Sequence, residues 1–321
     1  MNRLAITLAV LAGLAPAARA TTQVHYVMGT FLRVTVDGDA PLWAFDACFG
    51  RARELDRTFS RFDPGSELAR LNADGQGAAS AGFREALARA MALRAATDGA
   101  FDVSAGAVTA LWRAPERPSP AAIEAARRTV GAVSIDGERV ILGAGTRLDF
   151  DGFAKGVAVD ACVAALRAAG ITRALVSFGE SSLFALGAPR GTAGWTLSVR
   201  GPEPDRVMAR LRLRDGGAAV SAAFGGRGRT GVQATAHIVD PAAGAAIRDD
   251  AAAVVVADSA ASAEAFAKAA LVRGPGALAA LERRAPARIA WLDRSRIAMG
   301  PEMRRSGALR PIAGSTAEAN P

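Results

Sequence analysis

Apolar positions along this chain change their period several times, and each change marks an element. Residues 24–37 (VHYVMGTFLRVTVD) alternate with period two, the pattern of a strand with one buried face. Over 42–59 the period lengthens, so that Phe45, Cys48, Phe49, Ala52, Leu55 and Phe59 share one face of a helix. The turn DPGS leads into a short helix that Ser66 can cap, and residues 83–97 form a second amphipathic helix. After the surface excursion APERPSP (114–120), Ser119-Pro120 opens another helix. VSIDGERVIL (133–142) reads as a hairpin around Asp136-Gly137, and LDF (148–150) as the end of a strand. A helix over 155–169 stops at Gly170.

The second half reads as strands at 174–179, 183–188 and 195–201, with a hairpin over 210–223 around Asp215-Gly216-Gly217. The run AAAVVVAD (251–258) is a strand, followed by a helix from Ser259 or Ser262 to about Arg273, with Gly274 as its stop. A further helix over 276–284 precedes two strands, ARIAWLD and RIAMG, and residues 305–321 read as a loose tail. Hairpins mixed with helices predict an α+β fold, mostly antiparallel sheet with packed helices, in one domain over 21–304. No regular strand-helix alternation and no G-x-G-x-x-G after the first strand supports a dinucleotide-binding doubly wound sheet.

Residues 1–20 (MNRLAITLAVLAGLAPAARA) change the picture of where the protein works. A basic start, an apolar run from Leu4 to Leu14 and Ala18-Arg19-Ala20 read as a secretory signal peptide cleaved near Ala20. The expectation is a periplasmic, soluble product with no membrane span. The Ala-rich run 251–272 carries Asp258, Glu264 and Lys268, which argues against its being a membrane span. The two cysteines, Cys48 and Cys162, are too few for a disulfide framework or a Cys-rich zinc site. Each lies on the apolar side of a predicted helix, so buried free thiols are the expectation, with pairing open in an oxidising compartment.

Composition excludes disorder over most of the length, since 50% of the 321 residues are hydrophobic. The net charge of +8 would suit nucleic acid, but the basic residues are spread out, nearly all are arginine, and aromatics make up only 6%. A solvated basic surface, no nucleic-acid partner and an anionic small ligand are the better reading. Lysine occurs only at Lys155 and Lys268, and histidine only at His25 and His237. Asp149 stands where a strand ends and Lys155 where a helix opens, with Gly152 between them. A helix N-terminus with an added ammonium suits a pyrophosphate, and a glycine admits close approach.

Several segments together resemble one family, the FAD:protein FMN transferases (ApbE-like flavin transferases). They are MGT (28–30), FSRFDPGSELARLN (59–72), GAFDVSAGAVTALW (99–112), LDFDGFAKGVAVDACVAAL (148–166), LVSFG (175–179), HIVDPAAG (237–244) and AVVVADSAASAEAFAKAALVRG (253–274). The resemblance covers most of the chain after residue 20. It implies binding of FAD and, with magnesium, transfer of its FMN half to a Thr or Ser hydroxyl of an acceptor flavoprotein, with AMP leaving. The implied acceptors are FMN-binding domains of envelope electron-transport proteins. The implied FAD contacts are Met28, Phe62, Ala100, Phe101, Asp102, Asp149, Lys155 and Val239. Phe62 keeps a stacking face where the family often has Tyr. His237 becomes the candidate for proton handling, while Asp240 is read as fixing the turn before Pro241.

The metal motif departs from the family. Its A-D-A-x-x-T helix start puts an Asp and a Thr on one face toward the ion; here the positions read Glu264 and Lys268. The metal candidates by position are Gly152, through its carbonyl, Glu264 and Lys268. An ammonium is hostile to magnesium, which takes oxygen ligands in tight octahedral geometry. Three readings stand: an i,i+4 ion pair of about 0.3–0.5 kcal/mol; a Lys268 ammonium that sits where the metal would and neutralises the pyrophosphate directly, as a catalytic group; and weak metal binding through Glu264 and carbonyls. Glu180 replaces a second glycine after Gly179, Ala222 replaces the Gly of a Ser-Gly pair, and a glycine-rich stretch (224–231) follows. A degenerate relative that binds FAD without transferring it is the alternative these departures allow.

Overall fold

In the computed structural model, which describes residues 20–201, 206–223, 238–247, 250–312 and 316–318, the alternating stretch near the start is two strands rather than one. Strands β1 (Ala20–Val27) and β2 (Thr30–Asp37) form a hairpin. The chain reverses at Met28-Gly29, both at positive φ (47° and 73°), as a two-residue turn matched to strand twist requires. Period-two patterning continues unbroken through such a tight turn, which is why it reads as one strand.

The following elements are α1 (Leu42–Phe59), α2 (Glu67–Asp74), β3 (Gln76–Ala78), α3 (Ala81–Ala96), α4 (Gly106–Arg113), α5 (Pro120–Arg127), β4 (Val133–Asp136), β5 (Arg139–Leu142) and α6 (Ala154–Ala168). Next come β6 (Ala174–Phe178), β7 (Ser182–Leu186), β8 (Trp195–Arg200), β9 (Val207–Leu213), β10 (Gly216–Ala223), β11 (Val239–Asp240) and β12 (Ala245–Ala246). The chain closes with β13 (Ala251–Ala257), α7 (Ala260–Arg273), α8 (Leu278–Glu282), β14 (Ala287–Leu292), β15 (Arg296–Met299), α9 (Pro301–Ser306), β16 (Leu309–Pro311) and β17 (Thr316–Glu318). Side-chain caps open the helices where the sequence offers them: Ser66, Ser80, Ser119 and Ser259 each accept a backbone N–H in the first turn of α2, α3, α5 and α7.

Nine strands form one sheet in the order β1-β2-β6-β7-β10-β13-β14-β15-β17, antiparallel except for the last pair. Period two divides its core. On β13, Ala251, Ala253, Val255 and Ala257 face the helices, whereas Ala252, Val254 and Val256 face the small sheet β16-β9-β8. Both faces are covered, so β13 reads as a continuous apolar run without alternation. The result is three layers (helices, large sheet, small sheet), the α+β arrangement expected.

Several local expectations are corrected. Residues 148–150 are not a strand, because Asn72 brackets Leu148: its amide donates to the Leu148 carbonyl at 2.9 Å and accepts the Leu148 N–H at 2.7 Å. Residues 210–223 are not a hairpin. Asp215, at φ 48°, turns the chain from one sheet into the other, and Gly217 packs directly on the backbone at Ser259-Ala260. Helix α4 has no counterpart in the sequence reading, and the helix placed over 276–284 is a 3-10 turn at Pro275–Ala277 followed by α8. The tail is not loose from 305: Leu309 is buried as β16 pairs with β9, and β17 pairs with β15. Cys48 and Cys162 are not free thiols. They form a disulfide between α1 and α6, whose packing brings their Cα atoms to 4.2 Å.

Candidate functional site

The segment from Leu148 to Lys155 is held from both sides. Phe150 and Phe153 are fully buried and join Phe59, Phe83 and Phe101 in an aromatic cluster, with Phe59 stacked on Phe150 at 4.7 Å. Anchored so, the short turn between them carries Asp151 outward to the surface, while Asp149, just before Phe150, stays largely buried. Asp149 accepts from Arg113 of α4 at 2.8 Å, and Asp151 accepts from Arg113 at 3.0 Å and from Arg61 at 2.8 Å. Burial, then the neighbouring Asp151 charge, raises the Asp149 carboxyl above its ordinary range, with Arg113 opposing. Helix α6 then starts at Ala154 with no side-chain cap, so no side chain competes with an anion for its first N–H groups.

The GAFD stretch lies against this turn. The Asp149 N–H donates to the Val103 carbonyl at 2.7 Å, and the Phe101 and Phe153 rings are 5.6 Å apart. Ala100 and Phe101 are buried. Asp102 is turned inward: one oxygen accepts from the backbone and hydroxyl of Ser104 (2.8 and 2.6 Å), the other from Arg94 at 2.5 Å. It offers a ligand its backbone, not a spare carboxylate.

On the other side, Lys155 donates to Ser181 at 2.5 Å, and a Cβ placed on Gly179 would lie 3.7 Å from its ammonium and 3.0 Å from Thr30. The hairpin turn that carries Met28 therefore stands beside the start of α6, with the Met28 N–H bonded to Asp56 at 3.2 Å. Glu180 takes φ 56° directly after Gly179 at 57°, a left-handed pair that costs a non-glycine residue strain. This is where a second glycine stands in the family the sequence resembles.

Helix α7 supplies the remaining groups. Glu264 is 3% exposed; one of its oxygens accepts from Ser182 and the other is ion-paired with Lys268. The Lys268 ammonium also lies 3.3 Å from the Ser221 hydroxyl and 3.4 Å from the Glu264 carbonyl. Burial pushes the Glu264 carboxyl up, but the Lys268 and Lys155 ammoniums and the two hydrogen bonds outweigh it, so it sits below the ordinary carboxylate range. A Cβ on Gly152 would fall 2.8 Å from Cε of Lys268. The open space over Gly152, read from sequence as room for a ligand, is filled by this lysine.

Phe62 stands at the rim, 73% exposed, with the Arg61 guanidinium 3.8 Å over its ring. Val239 is half-buried on β11; Asp240 fixes the β11–β12 turn by accepting from Ala242 (2.8 Å) and Ala243 (3.1 Å), and the Trp112 indole donates to Gly244 at 2.8 Å. His237 and the glycine-rich stretch 224–231 lie outside the described residues. Ser181, Ser182, Arg113 and Arg61 belong to the site as well, and no motif in the sequence marks them. Only Arg113, at the C-terminal end of an amphipathic stretch, has a local signal; the serines gain their place by sheet register.

The donor set does not suit magnesium. Both Glu264 oxygens are engaged within the protein, and the residue one turn on is a cation. Among the described residues no three His, Cys, Asp or Glu side chains gather to hold a metal.

In this three-layer α+β protein two lysines, a buried carboxylate and an uncapped helix start meet in one place. The chain belongs to the ApbE family, whose model matches residues 28–291. It is 30% identical over 307 residues to the FAD:protein FMN transferase of Rhodobacter capsulatus, covering 88% of this chain and 57% of that protein, so it spans little more than half the length of this relative. It superposes on the flavin transferase ApbE of Vibrio cholerae with a TM-score of 0.79 at 20% identity, covering 90% of this chain and 99% of the other. The apo flavinyl transferase ApbE of Pseudomonas stutzeri gives 0.77 at 25% identity, covering 89% and 96%. Among the described residues, no helix is long and apolar enough to cross a membrane.

Proposed function

We propose that this protein is an exported FAD:protein FMN transferase. Its acceptors are FMN-binding domains of envelope electron-transport proteins. The acceptor's Thr or Ser oxygen bonds to the phosphorus of the FMN half of FAD. The bond from that phosphorus to the bridging oxygen breaks, AMP leaves with that oxygen and its electron pair, and the hydroxyl proton passes by way of His237 to solvent. The observation that carries the reading is the meeting of the GAFD stretch, the Asp149–Lys155 turn and the α7 pair Glu264/Lys268 in one place. Lys155 and the uncapped start of α6 bind the pyrophosphate; Met28, Phe62, Ala100, Phe101, the backbone of Asp102, Asp149 and Val239 line the rest of the FAD; His237 handles the proton. The Cys48–Cys162 disulfide supports an oxidising, periplasmic setting and hence the signal-peptide reading of residues 1–20.

A second reading, FAD binding without transfer, is favoured by two observations: the closed Glu264–Lys268 pair and the left-handed Glu180. One experiment separates the two. The mature protein is incubated with FAD and an FMN-acceptor domain, with and without magnesium, and the acceptor is weighed by mass spectrometry. An FMN-sized increase is expected; no increase in any condition rejects transfer, while FAD retained by the protein upholds the second reading.

A further inference from the structure

Resting on the reading of this site as one for FAD, we infer that the chain neutralises the pyrophosphate with the two ammoniums of Lys155 and Lys268 and binds its dinucleotide without a divalent ion.

Of 39 basic residues only two are lysine, and both stand at the same buried glutamate. That choice has a physical reason. An ammonium is a compact point charge on a thin stem, whereas guanidinium is broad and planar. Lys268 lies over Gly152, where a Cβ would meet its Cε at 2.8 Å and its Cδ at 3.3 Å and push the chain aside. The ammonium is then fixed by three oxygens, of Glu264, Ser221 and the Glu264 carbonyl. Lys155 is steadied by Ser181 at 2.5 Å. Two ammoniums around one carboxylate leave the trio with a net positive charge, held in place before any ligand arrives, as electrostatic preorganisation requires.

The same geometry works against a divalent ion. Glu264 has given one oxygen to Ser182 and the other to Lys268. An ion there would have to displace the Lys268 ammonium from Glu264 or stand beside it. The i,i+4 spacing that would put two oxygen ligands on one helix face here closes on itself as an ion pair.

The test needs no acceptor protein. FAD binding to the mature protein is titrated by calorimetry in excess EDTA and in millimolar MgCl2, and Mn2+ is titrated into the FAD-loaded protein with its EPR signal followed. Equal FAD affinity in both buffers and an undiminished Mn2+ signal are expected. Magnesium tightening FAD by about tenfold, or Mn2+ signal lost on the protein, overturns the inference and leaves the FAD reading standing. FAD failing to bind in either buffer rejects the FAD reading itself. Lys268→Met, with folding checked by circular dichroism, is expected to weaken FAD by about tenfold or more; unchanged affinity in a folded variant overturns the role of the ammonium.

Discussion

Glu264 is the residue on which the site's charge balance turns. With Lys268 ion-paired to it and Lys155 near, its removal takes from the buried Lys268 ammonium the carboxylate it is paired with. Glu264→Gln is therefore expected to destabilise the protein by about 3–5 kcal/mol at neutral pH, the usual result of breaking a buried pair from one side. Urea unfolding of the two proteins measures it. The pH dependence follows from the lowered folded-state acidity of this carboxyl. Its contribution is present above the unfolded carboxylate range and is lost as pH falls through the lower folded value. The gap between wild type and Glu264→Gln should accordingly narrow in acid; a gap that stays constant contradicts the pairing. Asp149 has the opposite sign: its raised folded value means that the folded state holds the proton more tightly, and its contribution declines as pH rises.

At the scale of elements, the site depends on how α6 and α7 cross. Gly156 lets them touch: a Cβ there would lie 2.6 Å from the Ala261 Cα and 2.8 Å from its nitrogen. Asp160, one turn further along α6, accepts the N–H groups of Ala260 (2.7 Å) and Ala261 (3.2 Å) at the start of α7, and Arg89 pairs with it at 2.8 Å. Gly156→Ala is expected to cost about 1–3 kcal/mol through overpacking. It should also weaken FAD binding, because α7 carries Glu264 and Lys268 and must shift; a melting curve and an FAD titration check both. Asp160→Ala is expected to cost about 1–3 kcal/mol, since two N–H groups lose their acceptor, again read by urea unfolding. An effect on FAD without loss of stability would argue that Asp160 acts some other way.

For the whole molecule, the disulfide joins residues 114 apart and ties α1 to α6. Replacing both cysteines by alanine, or reducing the bond, should lower stability by about 2–4 kcal/mol, chiefly by freeing the unfolded chain. The difference in urea midpoint with and without reductant measures it. The three layers should survive, because the buried aromatics and the two-faced sheet do not rely on that bond.

What could be read from the chain alone was what is written locally. Serine caps, glycine stops and the 3.6-residue periods of α1, α3 and α6 follow from neighbouring residues, and so does the α+β class. The GAFD, AKG and HIVDP segments were legible as motifs, as was the anomaly at Glu264 and Lys268. Tertiary structure decided what depends on register and crossing: that Met28-Gly29 splits one alternating run into a hairpin, that Asn72 replaces a strand partner at Leu148, and that β9 and β10 enter different sheets. It decided that Cys48 meets Cys162, since two apolar helix faces give no sign of which partner each will find. It decided, too, that Ser182 and Ser221 reach the Glu264–Lys268 pair, because strand register is set by pairing far along the chain.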